Sequence, residues 1–228
     1  MKALLRTVLS RRTRASLKID WLRLRARLRH QRGSRQLLPP TNQLHFGCGR
    51  RAVPGWTNVD LVQSPFDLDL AAPLPWPDGV FDAIASQQVI EHLDLESEFL
   101  PLLDELRRVS RPGCELWLSC PDMEKVCRGY VNDGGRELLA DRMTRYPVQL
   151  PDGMPSSQMI NVLFHQSGEH KNLYDFPLLR WLLEQRGFID AQQLNETAFR
   201  ERFPEFPPRR DDNVAMYVRA RRVSDESF

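Results

Sequence analysis

Two short runs decide the fold of this 228-residue chain: LHFGCG at positions 44–49 and GWTNVD at positions 55–60. Each contains a brief apolar segment that predicts a β-strand. The first run ends in a Gly-x-Gly pair and the second ends in Asp60. Glycines at the carboxyl end of a strand let the backbone approach a ligand closely. Because open α/β sheets bind ligands at this edge, the two runs indicate a binding site there.

The spacing between the glycines and the acid restricts the ligand. Asp60 follows Gly49 by eleven positions, and Pro54 and Gly55 interrupt that span, so no full helix fits between the strands. A dinucleotide site needs a third glycine, a helix and an acid about 20 residues further on. Asp60 can still accept hydrogen bonds from both hydroxyls of a ribose. The pattern therefore favours a ligand with a ribose and no diphosphate, such as S-adenosylmethionine.

Strand and helix patterns alternate from residue 41 to residue 222. Strands are expected at 44–46, 57–60, 66–70, 81–86, 115–120, 188–194 and 214–218, and helices at 98–109 and 177–186. This alternation is typical of a mainly parallel sheet with helices on both faces. Residues 122–176 are less regular and are expected to form an insertion or lid. We predict one doubly wound α/β domain whose seven-stranded sheet has an antiparallel last strand.

Several runs together resemble the class I S-adenosylmethionine-dependent methyltransferases, in particular the type 11-like branch, in which a short loop replaces the first helix. Besides the two runs above, they are LPWPDGVFDAI at 74–84, QVIEHL at 88–93, LRRVSRPG at 106–113 and, with weaker support, LLEQRGF at 182–188. The strongest part of the resemblance extends from about residue 44 to 123, in the family's order and spacing. It implies a Rossmann-like methyltransferase fold, S-adenosyl-L-methionine as the cofactor, and methyl transfer.

The resemblance also implies which residues contact the cofactor. They are Gly47, Cys48, Gly49, Asp60, Leu61, Asp69, Leu70, Ser86 and Gln87. In this assignment Asp60 holds the ribose, Asp69 lies near the adenine, and residues 86–87 face the sulfonium and the incoming substrate. Two positions depart from the family's pattern. His45 stands where many members carry an acid, and Arg51 replaces the usual third glycine.

The acceptor side is assigned to the insertion. A general base is needed only when the acceptor is protonated at neutral pH, as a sugar hydroxyl is. Four residues are candidates: His165, Glu169, His170 and Tyr174. We place His170 against the acceptor. Residues 165–170 have the spacing H-x-x-x-E-H and include Gly168, which argues against a zinc-binding helix, so no metal is expected. Glu91 and His92 are interpreted as a structural pair at a helix start.

Charge separates an N-terminal arm from the domain. Residues 1–40 hold twelve Lys or Arg and a single acid, Asp20, whereas the remainder has a net negative charge. An apolar stripe with helical spacing runs along the arm through Leu17, Trp21, Leu24 and Leu28. We predict a basic amphipathic helical arm over residues 1–40 that binds an anionic membrane surface through residues 1–38. Packing on the domain or on a second subunit, and an organellar transit peptide, remain alternatives.

Nucleic acid is disfavoured as a partner. Methylation of bases in this fold goes with an Asn/Asp-Pro-Pro-aromatic motif after the fourth strand, and residues 86–88 read SQQ instead. The four cysteines form no C-x-x-C pair, which fits reduced thiols in the cytoplasm, with the arm peripheral on the inner face of a membrane. The predicted activity is methyl transfer to a sugar or glycan-linked acceptor. The alternatives are an NAD(P)-dependent oxidoreductase or epimerase, and a non-enzymatic binding protein of the same fold.

Overall fold

A computed structural model describes residues 10–31, 38–62, 64–146 and 150–224 of the chain. The strands are β1 (Gln43–Phe46), β2 (Thr57–Asp60), β3 (Phe66–Asp67), β4 (Phe81–Gln87), β5 (Ser110–Pro121), β6 (Phe188–Leu194) and β7 (Ala215–Arg222). The α-helices are α1 (Arg11–Gln31), α2 (Leu100–Val109), α3 (Met123–Asp133), α4 (Arg136–Arg145), α5 (Gln158–His165), α6 (Phe176–Glu184) and α7 (Glu196–Arg202). A 3-10 turn at Ile90–His92 and a π-helical turn at Leu95–Phe99 precede α2.

The seven strands form one sheet in the order β3-β2-β1-β4-β5-β7-β6. Neighbouring strands are parallel except at β7, which runs antiparallel to both β5 and β6. The predicted doubly wound fold with an antiparallel last strand is therefore confirmed. Strand β3 is shorter than expected, and β5 begins at Ser110 because its chain pairs with β4 as soon as α2 ends.

Alternating side chains of β5 enter two cores, one on each face of the sheet. Leu116 and Leu118 join the larger core, which α2 and α6 cover. Trp117 points to the opposite face and joins a second core that is rich in aromatic rings. These rings come from the loop before β2 and from α7 and the segment after it: Trp56, Phe199, Phe203 and Phe206. Because both faces are covered, the carboxyl edge of the parallel strands is where a ligand can enter.

The segment 122–176 is more regular than the sequence predicted, since it contains α3, α4 and α5. Asp122 caps α3 by accepting from the backbone N–H of Glu124 at 3.0 Å, and Gly134 ends that helix with φ +70°. The three helices share a small core formed by Val126, Leu138, Met159, Leu163 and Val214. The prolines and glycines that suggested irregular chain therefore separate short helices. We call the three helices α3, α4 and α5 the helical cap.

Helix α1 accounts for the described part of the predicted arm, while residues 1–9 and 32–37 lie outside the described residues. Its apolar stripe is exposed to solvent: Leu17, Trp21, Leu24 and Leu28. The opposite side of α1 faces the domain through Arg23, Ala26 and Arg27. Within the described residues, no helix combines the length and apolar character that a membrane crossing requires.

Candidate functional site

The loop between β1 and β2 wraps around the carboxylate of Asp60. The N–H of Gly49 donates to Asp60 Oδ2 at 2.8 Å, and the N–H of Leu61 donates to Oδ1 at 2.6 Å. Gly47 and Gly49 have φ values of +68° and +51°, a left-handed conformation that favours glycine. The N–H of Cys48 donates to the carbonyl of Val59 at 3.1 Å. Asp60, at the end of β2, therefore lies directly against the glycine loop.

A cavity of about 370 Å³ opens above this loop, and we call it the glycine-loop cavity. Its wall includes six of the nine residues expected to contact a cofactor: Gly47, Gly49, Asp60, Leu61, Asp69 and Leu70. The other three are buried away from that wall: Cys48, Ser86 and Gln87. The sequence missed further lining residues that follow β4 or come from the arm: Gln88, Val89, His92, Leu93 and Arg23.

The residues around this cavity suit a ligand with a ribose and no diphosphate. A Cβ atom at Gly47 would lie 2.1 Å from Val89 Cγ2, so only glycine lets the chain pass there. Residues 50–56 contain no helix in the structure, so the loop offers no helix N-terminus for a diphosphate. Asp60 lines the cavity, and its carboxylate can accept from a pair of ribose hydroxyls.

The two departures from the family's pattern have structural roles of their own. His45 Nδ1 lies 3.0 Å from Asn58 Oδ1, which also accepts from the N–H of Val53 at 2.8 Å. Burial lowers the pKa of His45 to about 4, so its ring is neutral at pH 7. Arg51 donates to the carbonyl of Pro208 at 2.8 Å and so ties the glycine loop to the segment before β7. Polar support beneath the loop is therefore present without an acid.

Helix α1 lies across the rim of the glycine-loop cavity. Asp69 is only 3% exposed, and its Oδ2 accepts from Arg27 Nε at 2.7 Å. Arg23 Nε lies 3.9 Å from Asp69 Oδ1, and its guanidinium also bonds to Glu98. Arg23 lines the cavity itself. The arm is thus attached to the domain at the carboxylate that the sequence assigned to the adenine side.

A second cavity of about 260 Å³ lies between the sheet edge and the helical cap. It shares two wall residues with the first cavity, Gln88 and His92. Gln88 follows β4 directly and has φ +60°, an uncommon conformation for a residue other than glycine. Such strain is found at functional sites more often than elsewhere. The two cavities are therefore neighbours, and both border the residue where the chain leaves the sheet.

The second cavity is rich in cationic side chains, so we call it the arginine cavity. Its wall includes Arg142, Arg145 and Arg209. Arg145 forms an ion pair with Asp141, and Arg209 Nε lies 3.0 Å from Asp211 Oδ2. Arg142 has no carboxylate within 4.0 Å among the described residues and stacks on a tyrosine ring instead, 4.4 Å from its centroid. The cavity therefore suits a polar acceptor.

Of the four acceptor-side candidates, the structure brings only His170 to the wall of the arginine cavity. Its Nδ1 donates to the carbonyl of Leu163 at 2.7 Å, which leaves Nε2 as the unprotonated nitrogen of a neutral ring. His165 and Glu169 are exposed and are not on this wall. Tyr174 is buried in the core against Phe99, where burial raises the pKa of its hydroxyl.

The arginine cavity also contains a buried acid that was interpreted as merely structural. Glu91 is 1% exposed, and burial raises its pKa to about 8. Neither of its carboxylate oxygens has a hydrogen-bond partner among the described residues. The run QVIEHL at 88–93, quoted only for its resemblance, was the signal that could have identified Glu91 and His92 as wall residues.

Comparison with known proteins agrees with this geometry. Residues 44–118, from β1 into β5, match the family model described as a methyltransferase domain. This match supports a class I S-adenosylmethionine-dependent methyltransferase domain in this part of the chain, and S-adenosylmethionine is a cofactor that suits the residues of the glycine-loop cavity. No curated protein matches the chain.

Solved structures of similar fold include several methyltransferases. A phosphoethanolamine N-methyltransferase 2 of Haemonchus contortus is 12% identical, with a TM-score of 0.45, over 82% of this chain and 50% of that one. This chain thus spans about half the length of that protein. An S-adenosylmethionine-dependent methyltransferase of Archaeoglobus fulgidus is 15% identical, with a TM-score of 0.44, over 90% and 94%. One from Thermotoga maritima is 16% identical, with a TM-score of 0.45, over 92% and 95%.

Proposed function

We propose that this protein transfers the methyl group of S-adenosylmethionine to a hydroxyl of a sugar or glycan-linked acceptor. The observation that carries the proposal is that the two cavities are neighbours and share two wall residues, Gln88 and His92. A cofactor bound in the glycine-loop cavity and an acceptor bound in the arginine cavity would therefore lie next to each other. The sulfonium supplies an already activated methyl group, so the protein's task is alignment and exclusion of water.

The residues divide this task between them. Asp60 and the glycine loop hold the nucleoside end, because both oxygens of Asp60 keep lone pairs free beside their backbone donors. The helical cap covers the acceptor and limits access of water. His170 presents Nε2 to the acceptor and stabilises the loss of its hydroxyl proton.

The polar lining supports a hydroxyl-rich acceptor over an apolar one. Arg142 and Arg145 come from the cap and Arg209 from the segment before β7, so donors approach the acceptor from two sides. Sugars offer several hydroxyl oxygens that can accept from guanidinium groups. An apolar acceptor would instead bury the remaining N–H groups of these guanidinium groups without new hydrogen bonds, which is unfavourable.

Transfer of isotope-labelled methyl from S-adenosylmethionine into a cell extract, followed by mass spectrometry of the products, tests the activity and identifies the acceptor. We expect His170→Ala to lower kcat about 100-fold, while His165→Ala, an exposed histidine of the same segment, leaves it unchanged. Unchanged turnover in His170→Ala would remove its assigned role. An extract that gains no label, although the chain binds S-adenosylmethionine, would instead favour a non-enzymatic binding protein.

We also propose that the protein is cytoplasmic and binds the inner face of an anionic membrane through its arm. Exposed apolar residues on one side of α1 support this proposal, because basic amphipathic helices bury such a side in the interface. Co-sedimentation with anionic and neutral liposomes at low and high salt tests it. Binding should require residues 1–38 and anionic lipid. A Trp21→Ser, Leu24→Ser variant should lose it, and equal sedimentation of the truncated and full chains would refute the proposal.

A further inference from the structure

The wall of the arginine cavity brings together three side chains that can bind a metal ion. Glu91, His92 and His170 each offer one ligand atom, and these atoms all lie within 4.8 Å of one another. His92 Nε2 is 3.9 Å from Glu91 Oε1. Ligands about 2.1 Å from an ion lie about 3.4 Å apart in tetrahedral geometry, so small side-chain movements would close the site. We propose that these residues form a divalent-cation site that binds the acceptor.

The hydrogen bonds of the two histidines already orient them as ligands. His92 Nδ1 lies 3.2 Å from the carbonyl of Glu169, and His170 Nδ1 lies 2.7 Å from the carbonyl of Leu163. A carbonyl oxygen only accepts, so in each ring Nδ1 carries the proton and Nε2 keeps its lone pair. Donation from one ring nitrogen to a carbonyl is the usual outer-shell contact of a metal-bound histidine.

Glu91 supplies an independent observation. Its carboxylate is almost completely buried, and neither oxygen has a partner among the described residues, although the adjacent cavity is polar. An isolated carboxylate is strongly disfavoured in such a place. A bound cation would compensate the charge of this carboxylate and take one of its oxygens as a ligand.

The spacing H-x-x-x-E-H at residues 165–170 disfavours zinc only if those residues form one continuous helix. The structure separates that run, since α5 ends at His165 and a 3-10 turn follows. Only His170 reaches the cluster, and the other two ligands come from the turn after β4. His170 is therefore distant in sequence from the adjacent pair Glu91 and His92, so no local spacing could reveal the cluster.

The donor set indicates the class of ion. Two imidazole nitrogens with one carboxylate suit a first-row transition ion, such as Zn²⁺, Mn²⁺ or Co²⁺, better than the all-oxygen sites of Ca²⁺. Three protein ligands also leave positions open toward the arginine cavity. These positions can take one or two neighbouring hydroxyl oxygens of a sugar.

The chemical role deepens the proposed function and rests on it. A hydroxyl bound to the cation loses its proton more readily, and the proton passes to water at the mouth of the cavity. The oxygen then forms a bond to the methyl carbon while the carbon–sulfur bond breaks and its electron pair remains on sulfur. In this arrangement His170 assists proton loss by holding the cation.

The test measures metal binding directly on the full chain. Chelator-treated protein is titrated with Co²⁺, followed by visible absorption, and with Zn²⁺, followed by calorimetry. We expect one ion per chain, with affinity reduced at least about 100-fold in both Glu91→Gln and His170→Gln, because loss of an outer-shell contact alone costs about 10- to 100-fold. His165→Gln is the matched control and should bind as the parent does. Circular dichroism and thermal unfolding identify any variant that fails to fold.

The outcomes separate this proposal from the proposed function. Absence of stoichiometric binding, or binding that survives both Glu91→Gln and His170→Gln, overturns the cation site. If the chelated protein still methylates an acceptor at the full rate, the cation site is overturned while methyl transfer stands. If the ion binds through these residues but no hydroxyl acceptor is methylated, the cation site stands and the proposed function fails.

Discussion

The glycine-loop cavity and the arginine cavity differ in how their polar groups are satisfied. In the first, Asp60 holds two backbone N–H groups and Asp69 holds Arg27. In the second, the oxygens of Glu91 and the Nε of Arg145 have no partner among the described residues. The first is formed by strand ends and a glycine turn, and the second by a cap of short helices. Backbone contacts preorganise the first cavity for the cofactor. In the second cavity, unpaired side-chain atoms remain available to bind the acceptor.

The largest expected effect is a loss of cofactor affinity when the glycine loop is altered. Gly47→Ala would place a methyl group 2.1 Å from Val89 Cγ2 at φ +68°. Strain and overlap together cost about 3 kcal/mol, so we expect the Kd for S-adenosylmethionine to rise about 100-fold in a calorimetric titration. Gly49→Ala is the matched control, because no atom lies within 4 Å of its added Cβ and only about 1 kcal/mol of strain is expected. Equal losses in the two variants would contradict this explanation.

A smaller loss is expected when the charge of Asp60 is removed. Asp60→Asn weakens the charge-assisted bonds to the loop and the cofactor by about 2 kcal/mol in total, which is about 30-fold in Kd. Asp82→Asn is a suitable control, since that acid lies in an exposed ion pair with Arg111. Titration calorimetry measures both. If Asp60→Asn bound the cofactor as tightly as Asp82→Asn does, the carboxylate would have no part in the site.

The pH dependence of stability tests the support beneath the glycine loop. Burial, followed by repulsion from Arg209 and Arg51, lowers the pKa of His45 to about 4, against about 6.5 when unfolded. Only the unfolded state therefore gains a proton between these values, so stability falls as pH drops from about 6.5 to 4. We expect His45 to account for about 1–2 kcal/mol of the loss between pH 7 and 5. Urea unfolding of His45→Gln at both pH values should show a smaller decrease than the parent; an equal decrease would assign the effect elsewhere.

The smallest effects concern the attachment of α1. Arg23 reaches both Asp69 and Glu98, whereas Arg27 is more exposed and reaches Asp69 alone. Partly exposed ion pairs contribute little, so we expect Arg23→Ala to loosen the helix by about 1 kcal/mol and Arg27→Ala by about half of that. Hydrogen exchange of the amides in residues 20–28 measures the difference. The reverse order would mean that another contact holds the arm.

The parts that could be predicted from the sequence depend on local pattern. Strands with buried apolar runs were placed to within a few residues, and the glycine loop with Asp60 was recognised because both lie in one short stretch. The helices of the cap were missed because Gly134 and Gly135 suggested loop, whereas they join α3 to α4. Short helices with a small shared core give weak periodicity.

The arginine cavity was largely invisible in the sequence. Arg142 comes from the cap and Arg209 from the segment before β7, and only the fold brings them together. The assignment of Ser86 and Gln87 to the sulfonium stays a prediction, but the structure puts the next residue on the wall. Gln88 leaves the strand with φ +60°, lines both cavities, and its amide donates to Asp211 Oδ2 at 3.4 Å. A positive φ at a residue other than glycine cannot be recognised from the amino-acid sequence alone.

The bonding of Asp60 has a consequence for selectivity. A carboxylate offers about four lone pairs, and one on each oxygen is already taken by a backbone N–H. One acceptor position on each oxygen is left, enough for the 2′ and 3′ hydroxyls together. A 2′-deoxy analogue would leave one position empty, and a 2′-phosphate would bring a second anion against the first. We therefore expect the site to bind ribonucleosides more tightly than their 2′-deoxy and 2′-phosphorylated forms.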